Sequence, residues 1–245
     1  MTGGALLIST LDLLAWAPPG WGQTLAVALA QSIMIALGAY GLGLLIGIGG
    51  AYGKLYGGPV TRDLLAIYTT IVRAVPELIL ILILYFAFTS SINNLLLAWG
   101  YDRIQISGFA AGIAVLGVVQ GAYATEVLRG AILSVPHGQI EAARAMGMPP
   151  LMLAWRVTLP QMLAAAIPGL ANLWLIATKD TALLAVVGYA ELTLVTRQAA
   201  STTKAFFTFF MAAGMLYLAI SILSTLVFNR IEAWARRGQV RGEGR

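Results

Sequence analysis

Arg73, Glu77, Glu126, Arg129, Lys179 and Asp180 fall inside otherwise apolar stretches of this chain, three acids and three bases where charge is least tolerated. Burying ionised groups in hydrocarbon is costly, so such residues either line a polar path or neutralise one another. Arg73 and Glu77 are four apart and Glu126 and Arg129 three apart, spacings that could put each pair on one helix face. In one role they would hold an ammonium, a carboxylate or a cationic side chain. In the other they would be ion pairs between helices or near a membrane surface, and both roles stay open.

Other chemistries are poorly served. There is no cysteine, so there is no thiol nucleophile, disulfide framework or Cys-ligated metal, and a single histidine, His137, argues against a His-cluster metal site. No nucleophile, base and orienting group can be read together. The one Gly-Lys pair, Gly53-Lys54, is not a phosphate loop, because Ile48 stands where the first glycine belongs and Leu55 follows the lysine. No ATP or magnesium site is expected in this chain.

The elements that must position these residues are membrane spans. With 59% hydrophobic and 10% charged residues in 245, the chain carries several apolar runs of the roughly 20 residues a helix needs to cross a bilayer. The runs are continuous rather than alternating, which favours helices over a barrel. Five spans are expected, at about 25–50, 64–98, 107–133, 161–187 and 205–231. The second is long for one crossing and contains Pro76, so a kink or a tilted, partly interfacial first half is expected there. Residues 5–16 are apolar, interrupted by Asp12 and followed by Pro18-Pro19, a pattern that suits an interfacial helix; no Lys or Arg precedes Lys54, unlike the start of a cleavable signal. The expected organisation is an N-terminal segment 1–22, one transmembrane domain 23–232 and a basic tail 233–245.

An odd number of spans puts the termini on opposite sides. Placing 134–160 inside gathers Lys54, Arg62, Arg144, Arg156, Arg230, Arg236, Arg237, Arg241 and Arg245 on the cytoplasmic side and leaves Arg103, Arg197 and Lys204 outside. The positive-inside rule therefore predicts an outer N-terminus and a cytoplasmic C-terminus, and topology accounts for the net charge of +5 without a nucleic-acid partner.

The cytoplasmic interruption is patterned. Pro136 precedes a short helix containing Glu141, Ala142 and Ala143; Gly147 suits its C-terminal cap; Pro149-Pro150 start a second short helix before Leu159-Pro160 lead into the fourth span. Such a two-helix elbow could dock a partner or simply lie on the membrane.

The spacing Glu-Ala-Ala, three residues, Gly, nine residues, aliphatic, one residue, Leu-Pro resembles the coupling motif of bacterial ABC importer permeases, with Val157 in place of the usual isoleucine. Tyr68-Thr69-Thr70, Arg73 to Leu78, Gly121-Ala122-Tyr123 with Glu126 and Arg129-Gly130, and Lys179 to Leu183 are similar to polar amino-acid permeases. With Gly53-Lys54-Leu55, they most resemble the histidine, lysine/arginine/ornithine and octopine/nopaline branch, over residues 22 to 235. The resemblance implies an all-α, five-helix type I permease in the bacterial inner membrane. It further implies a second permease subunit, identical or paralogous, a cytoplasmic ATPase dimer that binds ATP and Mg, and a periplasmic amino-acid-binding protein. Glu141, Ala142, Ala143, Gly147, Leu159 and Pro160 would couple to the ATPase; Glu77, Asp180, Lys179, Arg73 and Glu126 are candidates for the substrate path.

An ion-gradient-driven transporter is the alternative, disfavoured by the lack of a convincing internal repeat. A membrane enzyme or scaffold is a third. Gly43 with Gly47 and Gly117 with Gly121 have the spacing of close helix packing, a hinge being the other option. Trp155, Trp174 and Trp234 read as core or interface anchors.

Overall fold

The computed structural model describes residues 12–104 and 107–237. Nine α-helices are described, α1 (Gly22–Tyr56), α2 (Pro59–Ala74), α3 (Glu77–Ala98), α4 (Gly108–Leu133), α5 (His137–Ala145), α6 (Pro150–Leu153), α7 (Leu159–Asp180), α8 (Leu192–Thr203) and α9 (Phe206–Ala235). A π turn over Ala154–Thr158 joins α6 to α7, and a 3-10 segment over Thr181–Val187 extends α7. Five stretches are long and apolar enough to cross a membrane: α1, α3, α4, Pro150–Val187 and α9. The chain is therefore all-helical among the described residues, with the five spans expected.

α1 and α4 form the spine. Glycines let them touch: a Cβ at Gly43 would lie 2.8 Å from that of Gln120, and one at Gly117 would lie 2.6 Å from a Leu42 methyl. Both glycine pairs thus serve packing, because removing side chains brings backbones together where no hydrophobic effect drives association. α7 and α9 close against this spine through Trp174, whose indole Nε1 donates to Ser224 Oγ at 2.8 Å and whose ring meets Tyr40 edge-on at 5.5 Å. Trp174 is the core anchor of the three tryptophans, whereas Trp155 and Trp234 are exposed.

The stretch 64–98 is not one kinked span. Pro76 lacks an amide hydrogen and forces Val75 into extended geometry (φ −87, ψ 137), so α2 ends at Ala74 and α3 begins at Glu77. α2 starts with Pro59 at its first turn and turns Thr69 and Val72 inward. Its Tyr68 hydroxyl donates to the Val118 carbonyl of α4, and burial pushes that hydroxyl up to about 12, keeping it a donor.

Two further boundaries differ from expectation. The second elbow helix is continuous with the fourth span, and the loop after Val187 contains α8, whose Leu192, Val195, Ala199 and Ala200 pack with Leu25 and Phe209. Of the expected N-terminal interfacial helix, residues 5–11 lie outside the described residues; Asp12–Leu14 form a single 3-10 turn that folds back, Trp21 N–H donating to Leu13 O at 2.8 Å. The tail beyond 237 also lies outside them.

Candidate functional site

Gln120, Tyr123, Glu126 and Arg129 follow one another along α4 at intervals of three, so neighbours in the row are close while the row winds about 60° around the helix at each step. Each reaches a different partner. Gln120, at the middle of α4, donates from Nε2 to Asp180 Oδ2 at 3.1 Å, and Tyr123 donates to Glu77 Oε1 at 3.2 Å. The carboxyl of Asp180 lies within hydrogen-bonding reach of that of Glu77. Two acids from distant parts of the chain therefore face each other beside the middle of α4. The helix break at Pro76 makes this possible, since it starts α3 at Glu77 and sets that carboxylate against the positive end of a helix.

Asp180 and Gln120 are buried, at 8% and 2% exposure, whereas Glu77 and Tyr123 are half-buried and open the cluster to one side. Arg73 and Lys179 are exposed at its margin, close enough to act electrostatically on Tyr123 and Asp180 respectively. Arg73 and Glu77 share no helix face; they end one helix and begin the next. The arrangement pairs a buried acidic floor with a basic rim, which suits a solute bearing both a cationic group and a carboxylate.

One turn further along this row the chemistry is self-contained. Glu126 accepts from Lys54 and, at 2.9 Å, from Arg129, and Lys54 Nζ also donates to Thr69 Oγ1 at 3.0 Å. This network ties α1, α2 and α4 together and supplies Glu126 with two cations. Lys54 is a partner that charge counting had assigned to topology; its position inside the last turn of an apolar span was the available signal.

Glu191 is a second residue that the sequence did not single out. It is fully buried and caps α8, accepting from the N–H groups of Thr193 and Leu194, each at 2.8 Å, and from the Tyr217 hydroxyl at 3.2 Å. Ser32 Oγ in turn accepts from Leu192 N–H at 3.1 Å, joining α8 to α1. Burial raises the Glu191 carboxyl above the usual carboxylate range, against the pull of these hydrogen bonds. An acid between Gly188 and the apolar run from Leu192 was its only mark in the sequence.

At the other end of the fold, α5 stops in a closed cap. Met148 N–H donates to Ala143 O at 3.1 Å and Gly147 N–H to Arg144 O at 2.9 Å, with Gly147 at φ +74, the left-handed turn that glycine adopts without strain. Glu141, Ala142 and Gly147 are exposed, Ala143 is buried, Leu159 is half-buried, and Pro160 is exposed. Pro160 does not interrupt the helix because it occupies the first turn of α7, and the preceding π turn absorbs the change, Leu159 N–H bonding to Ala154 O. Met146, Leu151 and Trp155 stand 81%, 84% and 71% exposed beside the Glu141 helix, an apolar group of the kind that marks an interaction surface.

Residues 39–237 match the family model described as binding-protein-dependent transport system inner membrane component. The chain is 39% identical over 230 residues to the nopaline transport system permease protein of Agrobacterium fabrum, covering 93% of this chain and 98% of that one. It is 37% identical to the octopine transport system permease protein of Rhizobium radiobacter, over 94% and 98% of the two chains. Against the histidine/lysine/arginine/ornithine transport system permease protein of Salmonella typhimurium the identity is 36%, over 82% and 88%. Among solved structures, an amino acid ABC transporter crystallised with histidines superposes with a TM-score of 0.73 at 25% identity, over 87% of this chain and 94% of the other.

Proposed function

The chain belongs to the family of binding-protein-dependent transport system inner membrane components, and from that premise we propose that it forms the translocation path of an ATP-driven importer for basic amino acids or their opine conjugates. The observation that carries the substrate class is the cluster of Glu77, Asp180, Gln120 and Tyr123 beside the middle of α4, with Arg73 and Lys179 at its rim. Two neighbouring acids attract a cation, and a cationic side chain of the solute supplies one. The names of the relatives, which concern nopaline, octopine and basic amino acids, agree in chemistry.

In this reading the elbow lies in the cytoplasm, the N-terminus outside, and the protein spans the bacterial inner membrane. A second permease subunit completes the path, a binding protein delivers the solute, and a pair of ATPase subunits holds ATP and its magnesium. Glu141, Ala142 and Gly147 at the elbow surface, with the exposed Met146, Leu151 and Trp155, meet the ATPase. Ala143, Leu159 and Pro160 shape that surface from within and behind it. Closure of the ATPases displaces the elbow and switches the path between inward-facing and outward-facing states, a coupling of two distant sites through a rigid element.

The test is uptake of a panel of labelled amino acids and opines by the reconstituted complex, with and without ATP. ATP-dependent accumulation of basic solutes is expected. Accumulation driven by an ion gradient through this chain alone, or ATP-driven uptake confined to acidic or apolar amino acids, would overturn the reading.

A further inference from the structure

Behind the elbow the fold leaves a cavity of about 480 Å³, between α5 and α6 on one side and the ends of α1 and α4 on the other. Tyr52 and Tyr56 of α1, Ile132 of α4, Leu153 of α6 and Met162 of α7 line it, and Arg144, itself exposed, joins the lining from α5. Its volume is that of a small-molecule site. Its apolar wall is continuous with the buried core of the spans, since Ile132 and Met162 also pack on the cluster of Leu128 and Ala166.

Arg144 is the one charged residue of the lining, and its side chain forms no ion pair among the described residues. Glu141, one turn earlier on α5, is not part of the lining. An unpaired guanidinium beside an apolar space suits an anion that carries an apolar body. Tyr52 and Tyr56, 55% and 70% exposed with ring centroids 5.5 Å apart, end a spanning helix, where tyrosine sits at the headgroup level of a bilayer. The cavity therefore lies where hydrocarbon gives way to headgroups, and basic pockets between spanning helices at that level take acidic lipid headgroups.

We propose that this cavity binds an anionic phospholipid from the leaflet that the elbow faces, its phosphate held by Arg144 and one acyl chain laid against Ile132, Leu153 and Met162. A zwitterionic lipid carries the same phosphate, but its own ammonium competes for it, so acidic lipids are preferred. The bound lipid fills the gap between the elbow and the ends of α1 and α4, so that a push on the elbow is passed to α7 instead of closing that gap. The lipid site itself needs only that the spans cross a bilayer; its bearing on coupling rests on the transport reading above.

The experiment measures lipid binding to the full complex in detergent by native mass spectrometry, with dioleoyl phosphatidylglycerol and dioleoyl phosphatidylcholine as probes. Wild type is expected to bind the phosphatidylglycerol about tenfold more tightly, the worth of a charge-assisted hydrogen bond. Arg144→Gln should abolish that preference and change phosphatidylcholine binding about twofold or less; because Arg144 is exposed, the change tests binding without disturbing the fold. Met162→Trp, which fills the cavity, should weaken both lipids alike. A diazirine-bearing residue in place of Met162 should cross-link to lipid, and it decides the matter if the Trp variant does not assemble. Equal binding of the two lipids by wild type, a preference that survives Arg144→Gln, displacement of the lipid by an equal concentration of inorganic phosphate, or a cross-link to an ATPase subunit in place of lipid would each overturn the proposal. ATP-driven uptake by the same preparations separates the two readings: wild type that binds the lipid selectively but accumulates no solute overturns the transport reading and leaves the lipid site standing.

Discussion

A Cβ placed on Gly47 would lie 2.5 Å from the Cβ of Ala124, so α1 and α4 meet backbone to backbone at that level. Thr125 Oγ1 fills the next gap, 2.2 Å from where a Gly50 side chain would begin.

Substitution at this seam should therefore cost stability in proportion to what the neighbour cannot yield. Gly47→Ala is expected to destabilise by about 1–3 kcal/mol through overpacking. Gly41→Ala, with nothing within 4 Å of the added carbon, should leave stability unchanged or raise it slightly. Thermal unfolding in detergent distinguishes them, and equal melting temperatures would mean that the two helices separate easily.

The Glu191 cap predicts a pH dependence. Its carboxyl is raised in the folded protein, so the folded state keeps a proton that the unfolded chain gives up in the ordinary carboxylate range. Its stabilising contribution is complete at low pH and is lost as pH rises through the raised folded value. Glu191→Gln should flatten that part of the stability-against-pH curve relative to wild type. Glu191→Ala should lose the cap, at about 0.5–2 kcal/mol, over the whole range. A wild-type minus Gln difference that does not vary with pH would contradict this.

Lys54 and Glu126 should behave as a unit. In a double-mutant cycle built from Lys54→Met and Glu126→Gln, a coupling of about 0.5–3 kcal/mol is expected, because Glu126→Gln alone leaves the partly buried Lys54 without its acid, while Lys54→Met alone leaves Glu126 with Arg129 only. Arg129→Ala should cost less, since its side chain is 35% exposed and Lys54 remains to serve the acid. Additive single and double variants would dissolve the network.

At the elbow, Glu141→Lys and Gly147→Val are expected to abolish ATP-driven uptake while helix content and binding-protein capture persist. The first reverses charge on an exposed helix face. The second forces a β-branched residue into φ +74, at a cost of about 1–3 kcal/mol confined to the cap. Wild-type uptake rates in both variants would refute a docking role for this surface.

Hydropathy made the spans legible, because a continuous apolar run has few other fates. The ends were less so: α1 runs to Tyr56, past its glycines, and the second elbow helix merges into α7 through a π turn that no residue pattern announces. Pro76 marked a discontinuity, but its effect, two separate helices, depends on α2 finding a seat on α4 through Tyr68. α8 escaped notice since it is short and opens on Glu191, an unusual capping residue. Of the charged residues, Glu126 and Arg129 could be paired from spacing alone. The meeting of Glu77 with Asp180, and of Lys54 with Glu126, is a product of tertiary packing and has no local trace. Gln120, neutral and inside an apolar run, carried no signal until its amide was found bonded to Asp180.

The run from Pro150 through α7 to Val187 is continuous over 38 residues, with the exposed elbow at its start and Asp180 near its far end. At 1.5 Å per residue the two lie on the order of 45 Å apart along one rod, bent at most where Pro168 removes a hydrogen bond. Glu77 rides on a different helix. In the proposed transport reading, an axial thrust at Pro150 would be carried along this rod to Asp180 and would change its distance from Glu77.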